Sequence, residues 1–272
     1  MTLPIDLVLV RHGESEGNLA RSRSKRQDNS AFTEEFKARH SSLYRLTDRG
    51  REQARTAGEW IKTNILSDGE HFNRYYVSEY MRAKETAALL GLEEAEWLSE
   101  NRVRERDMGQ LDSISEDEKR RLFAAELAHK ERESYYWRPV GGESIDDVVG
   151  RVRSILDSLH REESQGKVII VCHGEVMRAF RVAIERMPTS RFHELDKDRP
   201  YGYTYNCQIH HWSRRNPETG EVGSYMNWFR SVCPWDLSLS TNAWEQVKRP
   251  RYSNEELLAQ AEAVERLVDD TI

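Results

Sequence analysis

Long apolar runs are missing from this sequence, which excludes an integral membrane protein with spanning helices. Mean hydropathy is −0.81, and 38% of the 272 residues are hydrophobic. The longest clear apolar run, residues 168–172, is far shorter than the roughly 18 residues that a spanning helix needs. The first residues also lack a basic region followed by a long apolar stretch. We therefore expect no secretory signal and a cytoplasmic protein.

Cysteine is scarce, and positive charge is not in excess. The three cysteines, Cys172, Cys207 and Cys233, cannot all pair within the chain, so we expect reduced thiols. The 41 Lys and Arg residues against 47 Asp and Glu residues give a net charge of −6. A nucleic-acid partner is therefore not expected. Because this net charge is small for the length and 9% of residues are aromatic, the composition favours a folded chain over a disordered one.

Three short apolar runs predict buried strands, at residues 5–10, 74–77 and 167–172. They show little alternation of polar and apolar residues, which is typical of parallel strands covered on both faces. Apolar residues at helical spacing predict helices between them, over residues 48–66, 144–160 and 175–187. This alternation predicts a three-layer α/β sandwich with a mostly parallel central sheet flanked by helices.

Several segments depart from this alternation. Residues 19–45 are polar and basic without strong periodicity, and predict a long loop, whereas residues 110–140 predict a helical cap insertion. Two further strands, at 204–212 and 224–232, are expected on either side of a turn. The tail predicts a helix from Asn254 to Asp270, with Leu257, Leu258, Ala261, Val264, Leu267 and Val268 facing inward. We expect one domain over residues 1–272, with a C-terminal extension at 213–272 that packs on the core.

Histidine and arginine side chains follow the predicted strands. The first strand leads into Arg11 and His12, the second into Ser78 and Arg82, and the third into His173. If the strands are parallel, these residues meet at the carboxyl edge of the sheet, where open α/β sheets bind ligands. Arginine matches phosphate oxygens, a helix beginning there offers free N–H groups, and a neutral imidazole can attack phosphorus. The pattern therefore predicts phosphoryl transfer without a metal.

These residues also lie in motifs that resemble the histidine phosphatase superfamily, the clan of cofactor-dependent phosphoglycerate mutases. The segment 9–18, LVRHGESEGN, resembles the signature of that family. The further motifs follow in the family's order: LTDRG at 46–50, Ser78 with Arg82, RERDMG at 104–109, GGES at 141–144, VCHG at 171–174 and Asn206-Cys207. Together they cover roughly residues 5–210.

The resemblance implies a role for each matching residue. His12 would be the nucleophile that becomes phosphohistidine, and Glu105 would protonate the leaving oxygen and then activate water. Arg11, Arg82 and His173 would surround the phosphoryl group. Asn18 and Gly174 would contact the substrate, and the 110–140 insertion would partly cover the site. No cofactor is implied.

Other interpretations compete at individual residues. His12, Glu14, His173 and Glu175 form two His-x-Glu pairs that could ligate zinc, although Arg11 and Arg82 would repel a cation, so we expect no metal. Arg82 could instead be a surface residue paired with Glu79 or Glu85. Glu100 or Asp107 could take the place of Glu105.

The basic run Arg21, Arg23, Lys25 and Arg26 is more easily read as a solvated loop than as a site that recruits a polyanionic substrate. Tyr135, Tyr136 and Trp137 favour packing in the cap over substrate stacking, and the cysteines are expected to be structural.

The expected function is hydrolysis of a small phosphorylated substrate. The mutases of the clan carry a lysine soon after the RERDMG-type element and an Arg-Arg pair further on. Here the first lysine is Lys119, and Arg120-Arg121 stands in a different context. We therefore favour a phosphatase over a mutase. A non-catalytic phosphate-binding scaffold is a further alternative, and the aromatic residues of the C-terminal third leave room for a homodimer.

Overall fold

The computed structural model describes residues 2–67, 69–198 and 200–268. The strands are β1 Asp6–Arg11, β2 Arg74–Val77, β3 Trp97–Ser99, β4 Lys167–Cys172, β5 Ile209–Ser213, β6 Trp228–Val232 and β7 Glu245–Gln246. The helices are α1 Glu16–Ser24, α2 Glu34–Ala38, α3 Asp48–Asn64, α4 Met81–Leu89, α5 Glu116–Leu122, α6 Ala124–Arg132, α7 Ile145–Glu162, α8 Gly174–Glu185, α9 Thr189–Lys197 and α10 Asn254–Glu262. Within the described ranges, no helix combines the length and the apolarity that a bilayer crossing requires.

The strands form one seven-stranded sheet in the order β3-β2-β4-β1-β5-β6-β7. The pairs β3–β2, β2–β4 and β4–β1 are parallel, whereas β5, β6 and β7 each pair antiparallel with the preceding strand of this order. The predicted α/β architecture with a mostly parallel core is confirmed. The antiparallel strands at one edge are β5 to β7, and they lie beyond the three strands that position the site.

Alternate residues of the central strands pack against helices on opposite faces of the sheet. Leu7 and Leu9 of β1 belong to a buried cluster with α7 and α8. Val8 and Val10 belong to a second buried cluster with α3 and α4. Because successive side chains of a strand point to opposite faces, a strand in the middle layer must be apolar on both. This explains the uninterrupted apolar runs of β1 and β4 and completes the three layers.

Local capping fixes where the long helices begin. Ser144 accepts a hydrogen bond from the Asp147 backbone N–H, and the Asp147 side chain accepts one back from Ser144, which forms a capping box before α7. At α3, the Thr47 side chain accepts from the Gly50 backbone N–H. The three helices predicted from periodicity are confirmed within two residues at each end.

The prediction of a loop over residues 19–45 is wrong. The segment holds most of α1, all of α2 and a short 3-10 turn at Ser41–Leu43. Ser15 forms a capping box with Asn18 at the start of α1, and Thr33 caps α2. These helices bury few side chains, so they lack the apolar stripe on which periodicity depends, and their caps were the only local signal.

The cap insertion is helical, as expected, but it is divided. The capping box at Ser115 starts α5, and the chain breaks at Phe123 before α6. Tyr135 and Trp137 are buried, which confirms the packing interpretation for these two, whereas Tyr136 is exposed. Cys172, Cys207 and Cys233 are free thiols and are buried, as expected.

The C-terminal helix differs from the prediction in its packing. Strands β6 and β7 of the expected extension pair with the sheet, but every residue of α10 is exposed. The apolar residues expected to face inward, among them Leu257 and Leu258, are solvent-exposed, and residues 269–272 lie outside the described residues. A capping box at Ser253 and Glu256 starts this helix, so local capping and not burial defines it.

Candidate active site

The carboxyl ends of β1, β2 and β4 meet at one edge of the sheet. Arg11 pairs with Cys172 and Val77 with Val171, so His12, His173 and Ser78 leave their strands at the same level. The backbone N–H of His12 donates to Cys172 O, and that of Ser78 donates to Val171 O, each at 3.0 Å. The structure therefore brings together the residues that the sequence pattern placed at this edge.

His12 presents one nitrogen to the cleft and uses the other to hold its ring. Nδ1 lies 2.7 Å from the Gly13 carbonyl oxygen, which can only accept, so Nδ1 carries the proton. Nε2 is therefore an acceptor and receives a hydrogen bond from Arg82 Nε at 3.2 Å. Burial, reinforced by the charges of Arg82 and Arg11, holds the pKa of His12 well below its ordinary value. The imidazole is thus neutral near pH 7, with an available lone pair.

His173 lies against His12, with ring centroids 5.1 Å apart. Its Nε2 is 2.7 Å from Ser78 Oγ, and its Nδ1 is 3.8 Å from Glu105 Oε2. Within the described residues, this Nδ1 is buried and has no hydrogen-bond partner. Burial and the charge of Arg82 also hold the pKa of His173 well below its ordinary value. A buried ring nitrogen in this position can bond to a ligand oxygen.

The two arginines are anchored by backbone carbonyl oxygens. Arg11 donates to Thr204 O at 2.6 Å, and Arg82 donates to Ser41 O at 2.7 Å. The Arg82 guanidinium also lies over the ring of Tyr80, 4.7 Å from its centroid. Because a carbonyl oxygen carries no net charge, these anchors orient the two cations without neutralising them.

The surface interpretation of Arg82 is wrong. Its exposed fraction is 7%, and its Nε bonds to His12. Glu85, the proposed surface partner, pairs with Arg51 at 2.7 Å and with Arg45 at 2.9 Å. Arg82 therefore lies inside the cleft, on the first turn of α4.

Glu105 is the carboxylate that lies beside the two histidines. Ligand atoms of His12, Glu105 and His173 all lie within 4.8 Å of one another. Burial raises the pKa of Glu105, against the opposing charge of Arg82, so the protonated form persists to higher pH than for an ordinary glutamate. Oε1 accepts from the Arg106 backbone N–H at 2.9 Å, which fixes the orientation of the carboxyl group.

The alternative carboxylates occupy other positions. Glu100 is held by Arg102 at 2.7 Å. Asp107 lines the cleft but is exposed, and it accepts from the Gly109 backbone N–H at 2.8 Å. Of the three carboxylates that are alternatives for the proton donor, Glu105 lies beside the histidines and has the raised pKa that proton donation needs.

Asn18 and Gly174 both line the cleft. Asn18 Oδ1 accepts from the Ser15 backbone N–H at 3.2 Å and from Asn206 Nδ2 at 3.0 Å. Gly174 is the first residue of α8, so that helix directs its unpaired N–H groups and positive end toward the site.

Two residues gain structural importance that the sequence motifs did not assign. Ser78 holds His173 through its Nε2, and Asn206 Nδ2 bridges the His12 carbonyl oxygen at 3.1 Å and Asn18. Both stand in the quoted motifs, but they are distant in sequence from their partners. Their membership of these motifs was the signal that the sequence offered.

The site does not suit the zinc ligand set considered from the sequence. Glu14 accepts from the Thr47 hydroxyl at 2.9 Å and lies beside Arg49, away from the histidines. The charge of Glu175 is opposed by Arg178, at 3.3 Å. The compact cluster is instead His12, Glu105 and His173, and Arg82 already donates to the lone pair of His12 that a metal would need. The positive charges of Arg82, which donates to this lone pair, and of Arg11 favour an anionic ligand over a metal ion.

The cleft extends from these residues to the cap and has a volume of about 420 Å³. Among the residues that the structure describes, eight arginines and lysines line it against four carboxylates, although acidic residues outnumber basic ones in the whole chain. The basic run is solvated, as expected, since Arg21 and Lys25 are both exposed, but these two residues lie on α1 and at its C-terminal cap, not in a loop, and they also line the cleft. Arg23 and Arg26 are exposed and do not line it.

Comparisons with known proteins agree with this architecture. The family model of the histidine phosphatase superfamily (branch 1) matches residues 7–212. A protein of Methylobacterium radiotolerans named 2,3-bisphosphoglycerate-dependent phosphoglycerate mutase is 32% identical over 195 residues, covering 70% of this chain and 83% of the relative. One of Azorhizobium caulinodans with the same name is 34% identical over 190 residues, covering 66% of this chain and 82% of the relative.

Solved structures share the fold. A mycobacterial glucosyl-3-phosphoglycerate phosphatase complexed with VO3 is similar with a TM-score of 0.59 and 24% identity, covering 76% of this chain and 92% of the other. An alpha-ribazole phosphatase from Shigella flexneri is similar with a TM-score of 0.57 and 18% identity, covering 81% and 96%. Together with the match over residues 7–212, these findings show that the chain belongs to the histidine phosphatase superfamily.

Proposed function

We propose that this protein is a metal-independent phosphomonoester hydrolase that works through a phosphohistidine on His12. The observation that carries the proposal is the state of His12: Nδ1 holds the proton, and Nε2 opens into a cleft between Arg82 and His173. A neutral imidazole nitrogen beside fixed cations is suited to attack on a phosphoryl group. The substrate is proposed to be a small phosphorylated compound, because the cleft has a volume of about 420 Å³.

In the first step, the Nε2 lone pair of His12 forms a bond to phosphorus, and the bond from phosphorus to the ester oxygen breaks. The guanidinium of Arg82 moves its hydrogen bond from Nε2 to a phosphoryl oxygen, where Arg11 and His173 also donate. Glu105, whose protonated form is favoured by the pKa-raising effect of burial, gives its proton to the departing oxygen. The products of this step are the alcohol and phosphohistidine.

In the second step, the ionised Glu105 takes a proton from water, and the water oxygen attacks phosphorus. The bond between Nε2 and phosphorus breaks, and inorganic phosphate leaves. His12 returns to its neutral form, with its proton still on Nδ1, and Glu105 is again protonated. The carbonyl anchors of Arg11 and Arg82 keep both cations in place through the cycle, so little reorganisation is needed.

The choice of water as acceptor rests on the cap. Arg120 and Arg121, the Arg-Arg pair of the insertion, do not line the cleft, and Arg120 is instead paired with Asp117 at 2.6 Å. Lys119 does line the cleft, but it is held by Glu116 at 3.2 Å. The cap therefore differs from the mutase pattern of a lysine followed by an Arg-Arg pair.

A mutase-type phosphotransferase is the second candidate. It is favoured by the names of the relatives described above and by the excess of cationic side chains in the cleft, which could retain a bisphosphorylated intermediate. A non-catalytic scaffold is disfavoured, because His12, Arg11, Arg82, Glu105 and His173 all lie in one cleft or next to it in a reactive arrangement.

The proposed hydrolysis is tested by incubating the protein with a phosphate-labelled ester, quenching in base and measuring acid-labile label on the protein. We expect one labelled site that is lost in His12→Ala and retained in His160→Ala, since His160 is an exposed histidine on α7. Label and turnover that persist in His12→Ala would overturn the assignment of the nucleophile.

The acceptor is tested separately. Interconversion of phosphoglycerate isomers, with a bisphosphate primer, is followed by phosphorus NMR alongside release of inorganic phosphate. We expect phosphate release to exceed isomer interconversion by a wide margin. Interconversion at a comparable rate would favour the mutase over the phosphatase.

A further inference from the structure

The turn that leads into β5, residues 204–208, holds Arg11 by its backbone and by its side chain. The backbone N–H of Arg11 donates to Gln208 O at 3.0 Å, and its guanidinium donates to Thr204 O at 2.6 Å. Arg11 is the last residue of β1 and lines the cleft. The 204–208 turn therefore decides where this guanidinium lies relative to a phosphoryl group at His12.

The same turn also holds the backbone of His12. The His12 carbonyl oxygen accepts from Asn206 Nδ2 at 3.1 Å and from the Cys207 backbone N–H at 3.3 Å. Cys207 has a φ of 51°, in the left-handed region that residues other than glycine rarely adopt. Such a backbone conformation persists only where surrounding contacts impose it. The turn therefore depends on contacts from outside itself.

Two hydrogen bonds from the C-terminal part of the chain supply this restraint. Trp235, which follows β6, donates from Nε1 to Asn206 O at 2.6 Å. In β6, Ser231 Oγ accepts from Gln208 Nε2, also at 2.6 Å. Both Trp235 and Ser231 lie beyond residues 7–212, the segment that matches the family model. The C-terminal extension of this chain thus contacts the turn that holds the site.

The Trp235 ring is itself held by packing. It is partly buried against the second buried cluster, and the guanidinium of Arg49 on α3 lies over it, 5.2 Å from the ring centroid. The segment that carries it is braced where the Cys233 backbone N–H donates to the buried Ser240 hydroxyl oxygen at 2.8 Å. Because the indole donor is already ordered, its hydrogen bond restrains the turn at little further cost in conformational entropy.

We propose that Trp235 is a positioning residue of the active site. Through Asn206 it restrains the 204–208 turn, and this turn aligns Arg11 and His12 with the phosphoryl group. The inference rests on the proposed function, since it takes His12 as the nucleophile. Alignment of the reacting groups matters more in the transition state than in the bound ground state. A loosened turn should therefore slow the reaction more than it weakens substrate binding.

Trp235→Phe tests this role, because it keeps an aromatic ring in the cluster and removes the N–H donor. With nitrophenyl phosphate, we expect kcat to fall about three- to tenfold and KM to change by less than about twofold, as for the loss of one hydrogen bond. Orthovanadate, whose five-coordinate adduct resembles the transition state, should inhibit about three- to tenfold less well. Inhibition by inorganic phosphate should change by less than about twofold.

Hydrogen exchange provides a readout that needs no turnover. The Cys207 amide donates to the His12 carbonyl oxygen, so its exchange rate, followed by NMR, reports on the turn directly. In Trp235→Phe this exchange should be about three- to tenfold faster. Ser231→Ala removes the other restraint on the turn and should accelerate the same exchange.

Trp244→Phe is the matched control. Trp244 lies in the same extension and is likewise partly buried, but it packs on His211, with ring centroids 4.8 Å apart, and does not line the cleft. We expect a similar loss of stability in urea, with kcat, inhibition by orthovanadate and exchange at Cys207 unchanged. If Trp235→Phe does not fold, Trp235→benzothienylalanine decides, since sulfur replaces the N–H in a side chain of the same shape.

The outcomes separate this inference from the proposed function. If Trp235→Phe and Trp244→Phe have the same kcat, orthovanadate inhibition and Cys207 exchange, Trp235 does not position the site. Equal losses of affinity for orthovanadate and phosphate also overturn the proposal. If the wild-type protein hydrolyses no ester, the hydrolase is overturned, whereas the exchange at Cys207 still decides whether Trp235 restrains the turn.

Discussion

Replacing Glu105 by glutamine isolates the proton-transfer step. Glutamine has nearly the same shape, and its amide oxygen can still accept from the Arg106 backbone N–H, so the local structure should persist. The variant loses the acidic proton next to His173 and His12. It should therefore affect only the part of the reaction in which a proton moves to the leaving oxygen or from water.

The magnitude follows from that role. A positioned general acid contributes about 10²- to 10⁴-fold in rate, equivalent to about 3 to 5 kcal/mol of barrier. Phenyl phosphate has a basic leaving oxygen and needs the proton, so the rate of its first step should fall by this amount. Dinitrophenyl phosphate has a weakly basic leaving oxygen, so formation of phosphohistidine from it should change by less than about tenfold.

The pH profile gives an independent readout. Burial keeps the pKa of His12 low and raises that of Glu105, so the nucleophile is ready at acidic pH and the acid is lost as pH rises. The wild-type kcat/KM for phenyl phosphate should therefore decline on the alkaline side, as Glu105 ionises. In Glu105→Gln that decline should disappear, together with most of the activity.

The assay is a burst experiment by rapid quench, with both esters, across a pH series. Asp107→Asn is the matched control, since it changes an adjacent cleft carboxylate that is exposed. Any loss in that control should be equal for the two esters. If Glu105→Gln slows formation of phosphohistidine equally from both esters, or keeps the alkaline decline, Glu105 is not the proton donor.

Three further predictions follow from the same geometry. Ser78→Ala removes the 2.7 Å contact with His173 Nε2 and leaves a buried nitrogen unpaired, so urea denaturation should show a loss of about 1 to 3 kcal/mol and kcat should fall. A side chain at Gly50 would collide with the backbone of Glu14, so Gly50→Ala should lower the free energy of unfolding by about 1 to 3 kcal/mol, whereas Gly150→Ala, in open space on a helix, should raise it by about 0.5 to 1 kcal/mol. Exhaustive chelation should leave turnover unchanged, and a stoichiometric metal that restores lost activity would contradict the proposed mechanism.

Much of the site at the carboxyl edge of the sheet was predictable, because its signals are local in the chain. β1 and β4 are continuous apolar runs, and a strand covered on both faces requires that composition. Each run ends at a histidine, so parallel pairing alone brings His12 and His173 to one edge. The sequence could not reveal the tautomer of His12, since that depends on a hydrogen bond to the Gly13 carbonyl.

The helices without an apolar stripe were less predictable. The apolar stripe of α7 predicts that helix, whereas α1 buries only Ala20 and Ser24, so its sequence lacks the stripe and predicts a loop. Had α1 been recognised from its capping box, the spacing of Arg21 and Lys25 would have placed both on one face. The opposite error occurred at α10, where an apolar stripe suggested burial although the helix is exposed.

The sequence by itself determined the family, the order of the central strands' motifs and the residues at the carboxyl edge of the sheet, because these depend on short segments with a strong local pattern. Only the tertiary structure decided which charges share the cleft. It brings Arg21 and Lys130 together and leaves Arg120 and Arg121 outside, although all four are basic residues in polar segments. The physical reason is that side-chain direction depends on where a helix begins and what it packs against. Those contacts join residues that are far apart in the chain.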